Sequence, residues 1–266
     1  MRIPNARWVA AAGTVCISFS AIFVALADVS PTTAAFWRGV YALPILAVLS
    51  RFVRNRDHRP ARLRLGAAAA GALLGVDLFF WHNSIDRLGA GLATVAAHTQ
   101  IVFVGMLAWM LYRQLPTRRT VIFGAMIFGG VALISGLGRP DAFGAQPVSG
   151  TIFGIAAGLS YASFMVGFQA SNPEGAAPAV ATLFDATAGM LGASAIIGLI
   201  AGDLALSPTW PAHAWLAALA VLGQVVGWTL LSFALPRLPA LTVSMIILAQ
   251  PMLAVVWGGV LLDESL

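Results

Sequence analysis

Apolar residues fill long runs along the chain, and short polar breaks separate one run from the next. A helix that crosses a membrane needs about 20 mostly apolar residues, and nine runs approach that length. The predicted spans are 8–27, 32–50, 66–85, 90–111, 120–137, 150–169, 179–201, 212–232 and 240–262. The pattern therefore predicts an all-α, polytopic bundle of membrane helices, with little chain left for a domain outside the membrane.

Composition supports this class. Hydrophobic residues make up 59% of the chain and charged residues only 9%, whereas about a quarter of residues are charged in ordinary globular domains. The net charge of +5 does not indicate nucleic-acid binding, because a basic recognition surface needs a folded domain that faces water. Cys16 is the only cysteine, so the chain cannot form an intramolecular disulfide.

All 15 basic residues are arginines, and their distribution predicts the orientation. With a cytoplasmic N-terminus, twelve arginines lie on the inner side and two on the outer side, as the positive-inside rule requires. Arg2 and Arg7 followed by an apolar run resemble the start of a signal peptide. The run is, however, longer than the apolar region of a signal peptide, which usually has about 7 to 15 residues. We expect a retained first span in a bacterial-type inner membrane.

Two segments 150 positions apart share a pattern: RLGAGLATVAAHTQI (87–101) and RLPALTVSMIILAQP (237–251). The two halves are offset by five spans, an odd number, so equivalent segments cross the membrane in opposite directions. Loop charge agrees, because 51–64 carries six arginines and its counterpart 202–213 carries none. Inverted repeats of this kind are typical of secondary transporters, which bind substrate between the halves.

Two stretches then resemble a known family. In QPMLAVVWGGVLLDESL, Pro251 is followed by Glu264 in a Glu-x-Leu end, and in PTTAAFWR, Pro31 is followed by Arg38. Both resemble the drug/metabolite transporter superfamily with its paired EamA-type repeats. The first half departs from the pattern, with Ile101 where the second half has its proline.

The resemblance implies ten helices as five plus five, with repeats at 1–138 and 150–266. It also implies a tenth helix after Leu266, and we expect the given sequence to stop before it.

Ionisable residues inside spans are costly, so they are candidates for function. At 1.5 Å of rise per residue, Arg38 lies roughly 9 Å and Asp77 and His98 roughly 12 Å from the outer ends of their spans. We predict an Arg38–Asp77 pair with His98 nearby, which either locks helices or contacts substrate. Asp185 is expected to lie alone in the inner half, at the position equivalent to Arg38.

Two glutamines lie near the centres of spans four and nine. Gln100 and Gln250 are related by the 150-residue offset, and each amide offers donors and an acceptor. They either bind substrate or bond to each other's helix. Pro251 removes one backbone hydrogen bond and frees the carbonyl of Ile247, for substrate contact or for a mobile bend.

Aromatic residues within the spans suggest the lining of a cavity. Phe79, Phe80 and Trp81 sweep about 200° of helix, so one of them faces the interior, and His82 follows. The deeper candidates for substrate contact are Trp81, Tyr161, Phe164 and Trp228.

Glycine pairs spaced by four predict close helix contacts. They are Gly71 and Gly75, Gly154 and Gly158, Gly198 and Gly202, and Gly223 and Gly227.

The sequence lacks the HExxH, GxSxG and paired Cys/His patterns of membrane enzymes. We therefore expect a transporter without cofactor or metal, a monomer or homodimer in the bilayer that binds a small molecule and no nucleic acid. Within the superfamily it looks most like the YddG-type aromatic amino acid exporters. The alternative is an exporter of threonine-like or other small metabolites. Nucleotide sugars and phosphate esters are disfavoured, because the spans hold one arginine and no lysine.

Overall fold

A computed structural model describes residues 5–88, 90–113, 118–134, 146–173 and 176–261. This part of the chain forms helices and short connections, and it contains no strand. The helices are α1 (Ala6–Ser18), α2 (Ser20–Ala27), α3 (Pro31–Val53), α4 (Ala61–Leu88), α5 (Ala90–Ala97), α6 (Gln100–Tyr112), α7 (Arg118–Ile134), α8 (Pro147–Ala170), α9 (Ala179–Ala201), α10 (Trp210–Ala218), α11 (Trp228–Ala234), α12 (Ala240–Ile247) and α13 (Ala249–Leu261).

Seven helical segments are long and apolar enough to cross a membrane. They are Ala6–Ala27, Pro31–Arg56, Ala61–Leu88, Leu92–Leu111, Pro147–Ala170, Ala179–Ala201 and Trp210–Arg237. The all-helical, multi-pass class is thus confirmed. The predicted spans 120–137 and 240–262 coincide with α7, which has 17 residues, and with α12 and α13, which Leu248 separates. The count of nine spans stays a prediction.

Short polar residues and proline set several helix starts. Asn5 accepts a hydrogen bond from the backbone N–H of Arg7 at 3.1 Å and so caps α1. Ser30 caps α3 in the same way, and Pro31 follows it at the first helical position, where its missing N–H has no cost.

Helices in the two halves match in length. Helices α3 and α9 have 23 residues each, and both ends are offset by 148 positions, from 31 to 179 and from 53 to 201. Segments Ala61–Leu88 and Trp210–Arg237 have 28 residues each. Helix α5 covers 90–97 and α12 covers 240–247, so both chain halves interrupt their helix at equivalent positions.

Helices α3 and α9 pack against each other and run antiparallel. Ser30, before the start of α3, bonds Asp203, after the end of α9, while Gly39 contacts Leu191 nearer the middle of both helices. Helix α4 packs along both α8 and α9. The buried core lies among these helices and includes Phe164, Phe168, Leu183 and Met190.

The closest helix contact joins α4 to α9 through backbone atoms. A methyl group added at Gly71 would lie 1.8 Å from the carbonyl oxygen of Ala186, and one at Gly189 would lie 1.8 Å from that of Ala68. On α8, Gly154 and Gly158 lie close to the side chains of Ala96 and Thr99. These small residues allow the close approach that their spacing predicts.

One glycine pair differs from its prediction. Gly198 packs near Thr32, but a side chain at Gly202 would meet nothing within 4 Å. Gly202 ends α9 in the left-handed region, at φ +72, where glycine carries no steric penalty. It serves as a C-cap and takes no part in helix packing.

A π-helical segment, Leu219–Gly227, joins α10 to α11 within one continuous span. Most π-helical turns are single bulges, and they occur often at functional sites. This nine-residue segment carries Gln224, which the next section places at the centre of the molecule.

Candidate functional site

A chain of three buried polar side chains crosses the middle of the bundle. The Arg38 Nε donates to Gln224 Oε1 at 2.8 Å, and the Gln224 Nε2 donates to Thr187 Oγ1 at 2.9 Å. Arg38 is 7% exposed, Gln224 1% and Thr187 0%. The chain therefore ties α3, the π-helical segment and α9 together through a charged group that is shielded from water.

Asp77 of α4 and Tyr161 of α8 lie within electrostatic range of Arg38. The predicted direct Arg38–Asp77 ion pair is not formed among the described residues, and the guanidinium Nε bonds the neutral Gln224 instead. Asp77 and Arg38 interact electrostatically without a direct bond. Each of these charged and polar groups comes from a different helix.

An aromatic cluster adjoins the polar chain. Phe164 and Trp228 make an edge-to-face contact with ring centroids 4.9 Å apart. Tyr161 lies 5.9 Å from Phe164 and 6.3 Å from Trp228. Since Trp228 follows Gln224 by four residues on the same span, the cluster and the polar chain form one site. We call it the central site: Arg38, Asp77, Tyr161, Phe164, Thr187, Gln224 and Trp228.

The remaining predicted site residues lie elsewhere. Trp81 is half-buried and its ring lies 5.0 Å from that of His82. The His82 Nδ1 bonds the carbonyl of Leu78 at 2.7 Å, and the His98 Nδ1 bonds that of Thr94. The recorded partners of these three side chains thus belong to their own helices.

Gln100 and Gln250 flank the two helix interruptions. Gln100 is 7% exposed at the start of α6, and Gln250 is half-buried at the start of α13. The structure describes both side chains and records no hydrogen bond between them. Pro251 follows within α13, and the carbonyl that it leaves unpaired belongs to the last residue of α12.

Asp185 does not lie alone, which corrects the prediction. Its carboxylate accepts hydrogen bonds from Arg59 Nη2 at 2.8 Å and from Arg64 Nη2 at 3.4 Å. Arg59 is itself fully buried and makes two bonds to the Asp57 carboxylate, each 2.9 Å long. The arginine-rich loop folds inward onto α9, a long-range contact that depth along a span could not reveal.

We call the ionic group Asp57, Arg59 and Asp185 the ionic latch. Arg59 holds the pKa of Asp57 below its usual value, chiefly through its side-chain hydrogen bond. The latch closes the arginine-rich end of the α3–α9 contact.

The opposite end of that contact is closed by hydrogen bonds to Asp203 and Ala205, without an arginine. Thr32 Oγ1 donates to Asp203 Oδ1 at 2.6 Å, and Thr33 Oγ1 donates to the Asp203 carbonyl at 3.1 Å. Trp37 Nε1 donates to the carbonyl of Ala205 at 3.0 Å. We call this group the loop latch. Between the two latches, six of the seven residues of the central site are buried and Tyr161 is half-buried.

Sequence reasoning missed Gln224, Thr187 and Arg59. Gln224 satisfies the criterion that selected Gln100 and Gln250, since it is a lone amide in the apolar run VLGQVVGW. Arg59 carried no such signal, because it lies in a loop with many arginines. Among the described residues, no group of three histidine, cysteine or acidic side chains could hold a metal.

Comparisons with known proteins agree with a transporter. The model of the EamA-like transporter family matches residues 6–136 and 148–266. An uncharacterised transporter of Synechocystis sp., sll1319, is 26% identical over 147 residues, which cover 50% of this chain and 43% of that protein. A crystal structure of another protein superposes with a TM-score of 0.71 at 17% identity, over 98% of this chain and 89% of that one. That likeness concerns the fold alone.

Proposed function

The chain belongs to the EamA-like transporter family, and from this premise we propose that it exports small metabolites, with aromatic amino acids as the preferred class. It is a multi-pass membrane protein by its helices and its family. The observation that carries the substrate class is the buried Arg38–Gln224 bond together with the ring cluster of Tyr161, Phe164 and Trp228, whose Tyr161 interacts electrostatically with Arg38.

The central site offers one partner for each part of an amino acid. The guanidinium of Arg38 uses Nε for Gln224, and its two remaining amino groups suit a carboxylate. Asp77 supplies a negative charge for the ammonium group. The three rings provide edge-to-face and stacking contacts for an aromatic side chain. A zwitterion would therefore replace the interactions that the buried charges now make with each other.

We further infer that the halves are inverted repeats, proposed as 1–138 and 150–266. Support comes from α3 and α9, which have equal lengths and the same offset at both ends and pack antiparallel. Equivalent helices that run in opposite directions are what inversion requires.

The same symmetry suits alternating access. The ionic latch and the loop latch both join residues of α3 or its following loop to residues of α9 or its following loop. Opening one latch while the other stays closed would expose the central site to one side at a time. From the arginine distribution we infer that the ionic latch lies on the cytoplasmic side of an inner membrane, with the N-terminus on that side.

Flux in proteoliposomes tests the proposal. Labelled phenylalanine, tryptophan, threonine and a nucleotide sugar are compared, with and without a pH gradient. We expect phenylalanine and tryptophan to move fastest and Trp228→Leu to reduce their flux at least tenfold. Trp8→Leu is the matched control, because Trp8 is 75% exposed and remote from the rings. Threonine flux above that of both aromatic substrates would support the alternative exporter.

A further inference from the structure

A cavity of about 380 Å³ opens at the end of the bundle that carries the arginine-rich loop. Arg56, Arg237, Phe233, Ser232, Ala177, Pro178 and Ala179 line it. Arg56 is the last residue of one span and Arg237 the last residue of another. Two positive charges therefore meet where membrane helices reach the level of lipid headgroups.

The position of Arg237 is fixed by its own helix. Its Nη1 donates to the Phe233 carbonyl at 2.6 Å, and its guanidinium carbon lies 3.8 Å from the centre of the Phe233 ring. This cation–π contact holds the charge beside the cavity wall and leaves other N–H groups for an anion.

Two further donors belong to residues that line the same cavity. Ser232 is 1% exposed, and its hydroxyl has no partner among the described residues. Helix α9 begins at Ala179, in the cavity lining, and an α-helix leaves its first N–H groups unpaired with a partial positive charge. A buried hydroxyl without a partner costs stability unless a ligand satisfies it.

Among the described residues, no acidic side chain forms an ion pair with Arg56 or Arg237. The nearest one along the chain is Asp57, and Arg59 engages both of its carboxylate oxygens. The cavity thus combines two arginines, a hydroxyl and a helix N-terminus with an apolar wall of Phe233 and Pro178. That combination fits a phosphate group attached to an apolar molecule.

We propose that this cavity binds the phosphate of an anionic phospholipid headgroup. A lipid, and not a soluble phosphate, is proposed because both arginines lie at the ends of spans. Basic pockets between helices at this level bind the acidic lipids of the cytoplasmic leaflet. Such a lipid would join the end of α3 to the start of α9 and the end of α11, beside the ionic latch. The proposal is independent of which substrate is transported.

Native mass spectrometry tests the proposal by measuring which lipids stay bound to the protein. The protein is released from phosphatidylcholine nanodiscs that contain a small fraction of phosphatidylglycerol or of phosphatidylethanolamine. We expect retained phosphatidylglycerol to exceed retained phosphatidylethanolamine. The double variant Arg56→Gln/Arg237→Gln should lose at least tenfold in phosphatidylglycerol retention. The control Arg54→Gln/Arg62→Gln removes the same charge from exposed positions outside the cavity and should retain the lipid.

Three outcomes would overturn the proposal. Equal losses in both double variants would indicate a general charge effect, and equal retention of phosphatidylethanolamine would remove the role of the anion. Displacement by added inorganic phosphate would assign the site to a soluble anion. Ser232→Ala keeps both charges and should weaken retention modestly with an unchanged melting temperature, which separates a binding defect from misfolding.

Discussion

The guanidinium of Arg38 donates to the neutral amide of Gln224 and not to a carboxylate. This difference has an energetic consequence. A neutral acceptor satisfies the buried donor without fixing a second charge, so Asp77 stays available for another partner. Replacing the acceptor would leave a buried cation unsatisfied, which is more costly than losing the bond itself.

We expect Gln224→Leu to destabilise the protein by about 1.5–3 kcal/mol, since it removes a hydrogen bond to a charged group. Flux of phenylalanine should fall more than tenfold. Thermal unfolding in detergent and proteoliposome flux measure the two effects. Gln250→Leu is the stability control, because that half-buried amide has no recorded hydrogen bond. An unchanged melting temperature for Gln224→Leu would contradict the role of the polar chain.

Asp57 gives a prediction on pH dependence. Arg59 lowers the folded pKa of Asp57 below its unfolded value of about 3.9. A lowered pKa stabilises the fold above the unfolded pKa, and this contribution disappears as the pH falls through the folded pKa. The stability difference between the wild type and Asp57→Asn should therefore be constant from about pH 5 to 7, begin to fall as the pH drops through about 4, and be lost only below the folded pKa.

Denaturant titrations in detergent across this pH range measure that difference. Asp86→Asn, at an exposed carboxyl near the opposite end of α4, is the control for general charge effects. A gap between wild type and Asp57→Asn that keeps the same size from about pH 5 down to about pH 3 would exclude ionisation of Asp57 as its cause.

At the scale of helices, the closest approach of α4 to α9 places Gly71 and Gly189 against backbone atoms of the facing helix. Gly189→Ala would force the helices apart, with an overpacking cost of about 1–3 kcal/mol and a melting temperature lower by roughly 3 to 10 °C. Gly192→Ala, one turn along α9, meets nothing within 4 Å and should be neutral or stabilising, because alanine favours helices. Equal effects of the two substitutions would mean that the close approach does not limit stability.

Helix positions could be predicted from the sequence better than helix partners. The span 179–201 matches α9 residue for residue, and 150–169 lies within α8. Partners could not be predicted, since spans that are apolar on every side give no periodic signal for the face that packs inward. For that reason the sequence predicts Asp77, and not Gln224, as the partner of Arg38.

The helix interruptions show a second limit. Pro251 predicted a bend in the second half, and α12 does end four residues before it. Ile101 stands at the equivalent position, yet the chain is interrupted there too, between α5 and α6. At that point Gly158 of α8 lies against Thr99 and the Ala97 carbonyl, so tertiary packing produces what proline alone could not explain.

For the whole molecule, the two latches predict independent opening of the two ends. Asp185→Ala should expose a cysteine at Thr182 several-fold more to a maleimide, and leave one at Ser194 unchanged. Both positions are buried on α9 and both hydroxyls lack partners among the described residues, so the reporters are matched. The background is Cys16→Ala, which removes the only native thiol. Equal increases at both reporters would indicate general loosening.

The π-helical segment allows the direction of the Trp228 side chain to change. Its i→i+5 bonds hold one more residue per bonded ring than the i→i+4 bonds of an α-helix, and each residue of an α-helix turns through about 100°. Conversion of this segment to α-helical bonding would therefore rotate Trp228 by about 100° about the helix axis relative to Thr187, without unfolding any helix. Deleting Val221 would make that rotation permanent. The Trp228 indole would then point away from Phe164.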